Sequence, residues 1–205
     1  VATMILAERG EIDLWEPVSK YLPFFANQKV LTQDGRILPA ERDTTIWELL
    51  NMSSGITYPD INHEPGRQMD NTFRRLIARR EKGDYVDTQE YLKEIAKVPL
   101  LFQPGTKWMY GLSADLLGGI IEVVSGKKYG AFLRDEIFIP LEMKDTGFFV
   151  PYDKRHRFAQ NYIWKDGVGL IPFNTSHLGE YYEEDVAFES GGAGLVSTID
   201  DYSRF

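Results

Sequence analysis

One tyrosine in this chain stands where its phenol could carry a proton. In Phe102-Gln-Pro-Gly-Thr-Lys-Trp-Met-Tyr110-Gly-Leu-Ser-Ala-Asp-Leu-Leu-Gly118, Pro104-Gly105 marks a turn, because proline fixes φ and glycine accepts a positive one. Ser113 is placed to cap a helix, its hydroxyl taking an orphan amide at the helix start. Leu116, Leu117, Ile120, Ile121 and Val124 follow at helical spacing, and Gly126 falls where a left-handed C-cap belongs. Tyr110 therefore lies between a rigid turn and the mouth of a buried helix. A free phenol has a pKa of about 10, so it needs nearby cations to act as a base at neutral pH.

Other chemistries are excluded or weakly supported. His63, His156 and His177 are far apart and lack the spacing of metal ligands, so no metal site is expected. There is no cysteine, hence no thiol nucleophile, no disulfide and no Cys-ligated zinc. No Gly-x-Ser-x-Gly elbow occurs. Gly191-Gly192-Ala193-Gly194 lacks the spacing and lysine of a phosphate loop, and its glycines are expected to permit close backbone approach. No cofactor is implied. A net charge of −8 argues against nucleic acid and anionic membrane partners, and no apolar run is long enough to cross a bilayer. No signal peptide is visible, the chain opens in mid-helix, and its compartment stays open between cytoplasm and cell envelope.

The elements that must position Tyr110 read as mostly α with short β segments. With 205 residues, 43% of them hydrophobic, the chain can fill one domain core. Val1 to Glu8 reads as a helix stopped at Gly10, and Asp34-Gly35 as a hairpin turn between Val30-Leu-Thr and Arg36-Ile-Leu. Thr45-x-x-Glu48 and Asp87-x-x-Glu90 open two helices, the first running to about Gly55, and Thr198-x-x-Asp201 opens a last one. Residues 56–70 read as irregular, with Pro59, Pro65 and Gly66 as punctuation. Met69 to Lys82 reads as an amphipathic helix whose arginines form a solvated basic face. Tyr129 to Phe138 is one further helix. Residues 145–180 predict short strands and long loops, with Phe158, Tyr162, Ile163 and Trp164 partly buried, followed by an acidic turn at Glu183, Glu184 and Asp185.

The central stretch is joined by Gly10 to Pro23, by Thr45-Ile-Trp-Glu-Leu-Leu-Asn-Met-Ser-Ser-Gly55, by Pro140 to Phe148 and by Gly191 to Asp201. Five such segments in this order resemble the serine β-lactamase and penicillin-binding-protein-like family, in particular its class C β-lactamase and esterase branch. The resemblance covers nearly the whole chain. It implies the helical part of an α+β β-lactamase/transpeptidase-like fold, with much of the antiparallel sheet missing. It also implies a serine hydrolase working through an acyl-enzyme, with Tyr110 as the catalytic tyrosine.

In that family a Ser-x-x-Lys motif supplies the nucleophile, and a Lys/His-x-Gly segment supplies part of the oxyanion site. The resemblance places the first upstream of Val1 and the second beyond Phe205, so residues 1–205 read as one related domain truncated at both ends, with activity of this chain alone in doubt. Ser125-Gly-Lys-Lys128 has the spacing, but Gly126 puts Ser125 at a helix C-terminus, where the dipole disfavours an anion. Leu112 stands where the lactamases carry asparagine. Leucine cannot hydrogen-bond a substrate amide, which tilts the substrate toward an ester, although Leu112 could equally pack under the turn. Trp108 and Tyr58 could line an acyl pocket or serve the core. Asp115 could orient the loop around Tyr110 or only favour the helix start. The alternatives are a β-lactamase or D-alanyl-D-alanine carboxypeptidase on β-lactam or peptide substrates and, in another class, a non-catalytic peptide- or protein-binding module. A truncated chain would expose apolar faces and could self-associate through them.

Overall fold

The computed structural model describes residues 1–173 and 186–205. Helix α1 (Ala2–Glu8) leads into a hairpin of β1 (Lys29–Leu31) and β2 (Ile37–Pro39), whose antiparallel register sets Val30 opposite Leu38. Helices α2 (Ile46–Leu50), α3 (Glu64–Glu81), α4 (Thr88–Ile95), α5 (Ser113–Ser125) and α6 (Tyr129–Leu133) follow. A second hairpin, β3 (Tyr162–Lys165) and β4 (Gly169–Pro172), precedes α7 (Ile199–Arg204). Helix is thus the predominant regular structure, with two two-stranded sheets among the described residues.

Helix α5 is the axis of the core and packs against α1, α2, α4 and α6. Its Leu116, Ile120 and Ile121 are buried among Leu6, Leu49, Leu92 and Phe132. Each such side chain contributes about 1.5–3 kcal/mol on burial, so the mouth of α5 is anchored in the core. Gly126 closes α5 in the left-handed conformation at φ 65°. The first hairpin bears on the core through Val30, whose neighbour Leu31 donates to the Leu100 carbonyl at 2.8 Å.

Helix starts follow the expected side chains in three cases. Thr45 and Glu48 form a reciprocal capping box, Asp87 accepts from the Glu90 amide, and Thr198 accepts from the Asp201 amide. Elsewhere the structure corrects the reading. Helix α2 stops at Leu50, because Met52 turns the chain into left-handed space at φ 59°. Helix α3 begins at Glu64, inside the stretch read as irregular: His63 Nδ1 accepts from the Gly66 amide at 2.9 Å, and Pro65 suits a first helical turn, where its missing N–H costs nothing. Tyr129–Phe138 is not one α-helix, since Arg134–Phe138 widens into a π-helical turn.

The basic face of α3 is solvated as expected, with Arg74 and Arg75 exposed, and it also carries ion pairs. Arg74 pairs with Asp70, Arg75 with Glu94, and Arg79 with Asp84 and Glu90. Phe158, Tyr162, Ile163 and Trp164 are exposed rather than partly buried. The β3–β4 hairpin pairs only with itself among the described residues, and every residue of β3 is exposed. His177 and the acidic turn of Glu183, Glu184 and Asp185 lie outside the described residues. No described helix is long and apolar enough to cross a membrane.

Candidate active site

Three loops converge on the first turn of α5. The segment 52–58 lies against the segment 101–112 through a series of main-chain contacts. Leu101 donates to the Gly55 carbonyl at 2.8 Å, Gly105 to Ser53 at 2.9 Å and Met109 to Met52 at 2.9 Å. A Cβ on Gly111 would lie 1.9 Å from the Ile56 carbonyl oxygen, so only glycine permits this approach. Tyr110 is therefore clamped on both sides: its predecessor is hydrogen-bonded to Met52, and its successor is pressed on Ile56. The Pro104-Gly105 turn is held from below by Arg42, which donates to the Pro104 carbonyl at 2.8 Å and pairs with Glu48. Burial pushes the Glu48 carboxyl up, but the hydrogen bonds from Arg42 and Thr45 together outweigh it and hold the group below its usual range.

The structure brings Tyr58 and Tyr110 together. Their ring centroids are 5.6 Å apart at an interplanar angle of 37°. Tyr110 is 56% exposed, while Tyr58 is half-buried and packs on the core. Burial first, and then the electrostatic influence of neighbouring Tyr110 and Asp115, push the Tyr58 phenol up to about 12. Tyr58 thus stays protonated at neutral pH and keeps a hydroxyl donor beside the exposed phenol. Trp108 is exposed on the same loop as Tyr110. Leu112 points the other way: it is 2% exposed and belongs to the core, so it offers no surface to a substrate in this conformation.

Ser113 is not the N-cap. Leu112 occupies that position, and Ser113 is the first helical residue. Its hydroxyl is buried and pairs with Ser54 Oγ at 2.8 Å, tying the 52–58 loop to α5. Ser53-Ser54-Gly55 is accordingly a loop, not a helix end. With both Ser54 and Ser113 buried to 1%, neither hydroxyl is open to a substrate. Ser125 ends α5 and donates back to the Ile121 carbonyl at 2.6 Å, while Lys128 donates to the Val186 carbonyl. That geometry is a helix terminus, not a nucleophile with its base.

The third loop, 190–193, was not legible as part of the site. Ser190 Oγ donates to Asp115 Oδ1 at 2.5 Å, and the Gly192 amide donates to the same oxygen at 3.1 Å. The available signal was a serine directly before a glycine pair, which shows a close-approach turn but not what it approaches. A cleft of about 610 Å³ lies elsewhere, between α6, residues 144–159 and residues 186–198. The tyrosine pair is outside it. The tyrosine pair is the candidate site, an exposed phenol packed against a half-buried one at the mouth of α5.

The family model described as Beta-lactamase matches residues 1–205. Esterase EstB of Burkholderia gladioli is 30% identical over 223 residues, covering 100% of this chain and 52% of that protein. An N-acetylmuramyl-L-alanine amidase of Bacillus subtilis is 30% identical over 209 residues, covering 96% of this chain and 43% of that one. Among solved structures, simvastatin synthase LovD of Aspergillus terreus has a TM-score of 0.74 at 24% identity, over 99% of this chain and 49% of that one, a likeness of fold. The chain spans about half the length of the curated relatives it matches. With a family model matched from end to end, the chain belongs to the beta-lactamase family.

Proposed function

We propose that the protein is a serine hydrolase that works through an acyl-enzyme, with Tyr110 as the proton-relaying phenol and an ester as the favoured substrate. The observation that carries this reading is the clamped, exposed Tyr110 beside the protonated Tyr58 at the mouth of α5. The attacking serine and its lysine belong to a Ser-x-x-Lys motif outside residues 1–205, as does the remainder of the antiparallel sheet. Tyr110 then passes the serine proton toward the leaving group, and water or another acceptor releases the acyl group. Tyr58 acts as a donor that orients the Tyr110 oxygen, and Trp108 forms part of the wall that meets the acyl group. Leu112 bears on specificity by what it withholds, since neither its side chain nor its buried position supplies an amide to a β-lactam or peptide.

The test is labelling of the full-length protein with a fluorophosphonate, followed by turnover of a nitrophenyl ester, a chromogenic cephalosporin and a D-alanyl-D-alanine peptide. One adduct with ester turnover fastest is the expected result. Fastest turnover of the cephalosporin or peptide would move the assignment to a β-lactamase or carboxypeptidase. The absence of any adduct would make the protein a binding module instead.

A further inference from the structure

Asp115 is buried to 4%, and its described donors are all neutral: the Ser190 hydroxyl and the Gly191 and Gly192 amides. A buried carboxylate without a cation is costly, and the N-terminal turn of α5 offsets only part of that cost. Packing alone would be served as well by a neutral residue. The rest of the geometry shows what the carboxylate holds. Ser190 Oγ, while donating to Asp115, accepts from the Gly192 amide at 3.2 Å and the Ala193 amide at 3.0 Å. A Cβ on Gly191 would lie 2.1 Å from the Ala114 carbonyl oxygen, so the turn is pressed flat on α5. A methyl on Gly192 would lie 3.5 Å from the Tyr58 hydroxyl and 3.6 Å from Asp115 Oδ1. The carboxylate, the turn and the Tyr58 phenol therefore lie together, and the Tyr58 ring packs against Tyr110 with centroids 5.6 Å apart.

We propose that Asp115 is a positioning residue: through Ser190 and Gly192 it fixes the Tyr58 phenol, and through Tyr58 it sets the orientation of Tyr110. The role assigned to Tyr110 rests on the hydrolase reading above. The linkage of Asp115 to Tyr58 does not. Among the described residues, the titratable groups that act on Tyr58 are Tyr110 from the 101–112 loop and Asp115 from α5.

The experiment has two arms. In the first, the 205-residue chain is labelled at the tyrosine ring carbon bearing the hydroxyl and titrated by NMR, with Tyr58→Phe and Tyr110→Phe assigning the two signals. In the unsubstituted chain the Tyr58 signal is expected to titrate at about 12. Asp115→Asn keeps the size and an acceptor oxygen but removes the charge, and Ser190→Ala keeps the charge but cuts the link. Asp115→Asn is expected to lower the Tyr58 titration point, Ser190→Ala to change the Tyr58 and Tyr110 signals with the Asp115 charge still in place, and Ser190→Thr to restore those signals. Unaltered Tyr58 and Tyr110 signals in folded Asp115→Asn and Ser190→Ala would overturn the proposal. If Asp115→Asn does not fold, Ser190→Ala decides alone, because Asp115 then keeps its Gly192 partner.

In the second arm the same substitutions in the full-length protein should lower kcat at least tenfold, with KM within twofold, and move the alkaline limb of the pH profile. Full activity in Tyr110→Phe would sink the hydrolase reading and leave the first arm standing. Loss of activity in Tyr110→Phe with none in Asp115→Asn or Ser190→Ala would do the reverse.

Discussion

The two phenols of the candidate site share one contact but not one environment: Tyr110 is exposed and Tyr58 half-buried. Tyr110 has its ring at the surface, so its removal should cost chemistry and little stability. Tyr110→Phe in the full-length protein is expected to lower kcat by about 10²–10⁴-fold, the usual range for a lost proton carrier, with an unchanged melting temperature. Steady-state kinetics beside a thermal melt checks both halves. Tyr58 and Tyr129 are pushed up to about 12, in both cases chiefly by burial. A phenol whose folded pKa lies above its unfolded value binds more protons in the folded state once pH passes the unfolded value. Its contribution is therefore intact below about pH 10, the free-phenol value, and is lost as pH rises toward 12. Denaturant unfolding across that window should show stability falling with pH, and Tyr58→Phe should flatten the slope. An equally steep slope in the variant would remove Tyr58 from the account.

At the scale of elements, the site depends on loops that have no regular structure of their own and are held by side chains of neighbouring helices. Glu48 has two tasks. It completes the capping box of α2 with Thr45, and it holds Arg42, which in turn holds the Pro104 carbonyl. Glu48→Ala is expected to lower stability by about 2–3 kcal/mol, from a lost cap and lost charge-assisted hydrogen bonds, and to loosen the turn before Tyr110. Because the Glu48 carboxyl is held below its usual range, its contribution is present at neutral pH and is lost on acidification through its folded pKa. The difference between wild type and Glu48→Ala, measured by urea unfolding, should shrink as pH falls. Gly111→Ala is expected to cost about 1–3 kcal/mol by overpacking against the Ile56 backbone. Gly147→Ala is the control, since its Cβ would meet nothing within 4 Å. Equal melting temperatures for the two variants would refute the clamp on Tyr110.

Over the whole molecule, the placement of tryptophan is unusual. All four, Trp15, Trp47, Trp108 and Trp164, are exposed, at 70%, 43%, 70% and 70%. Trp15 and Trp47 lie together with centroids 5.6 Å apart, on the side of α2 away from the core. Tryptophan is highly buried on average in folded domains, and large exposed apolar surface marks an interface. The 205-residue chain is therefore expected to show red-shifted, readily quenched tryptophan emission when dilute. Its emission should shift to the blue as it self-associates with rising concentration. Sedimentation velocity run over the same concentrations checks this, and a monomer at every concentration with unshifted emission would count against it.

What the sequence determined by itself was local. Thr45 with Glu48, Asp87 with Glu90, and Thr198 with Asp201 mark helix starts because the bonds they make span three residues. Gly126 ends α5, and Asp34-Gly35 turns the first hairpin, for equally local reasons of backbone conformation. Even there, Ser113 misled, because a serine near a helix start can bond elsewhere, and the partner it found is Ser54, 59 residues away. The identity of the family was also legible, from the order of five short segments. The tertiary structure alone decided which side chains meet: Tyr58 against Tyr110, and Asp115 with Ser190 across 75 residues. It also turned Leu112 inward and left the four tryptophans outside. Those outcomes depend on how three loops lie over one buried helix. Loop placement follows from backbone contacts such as Met109 with Met52 and Gly111 on Ile56, which a sequence pattern does not encode locally.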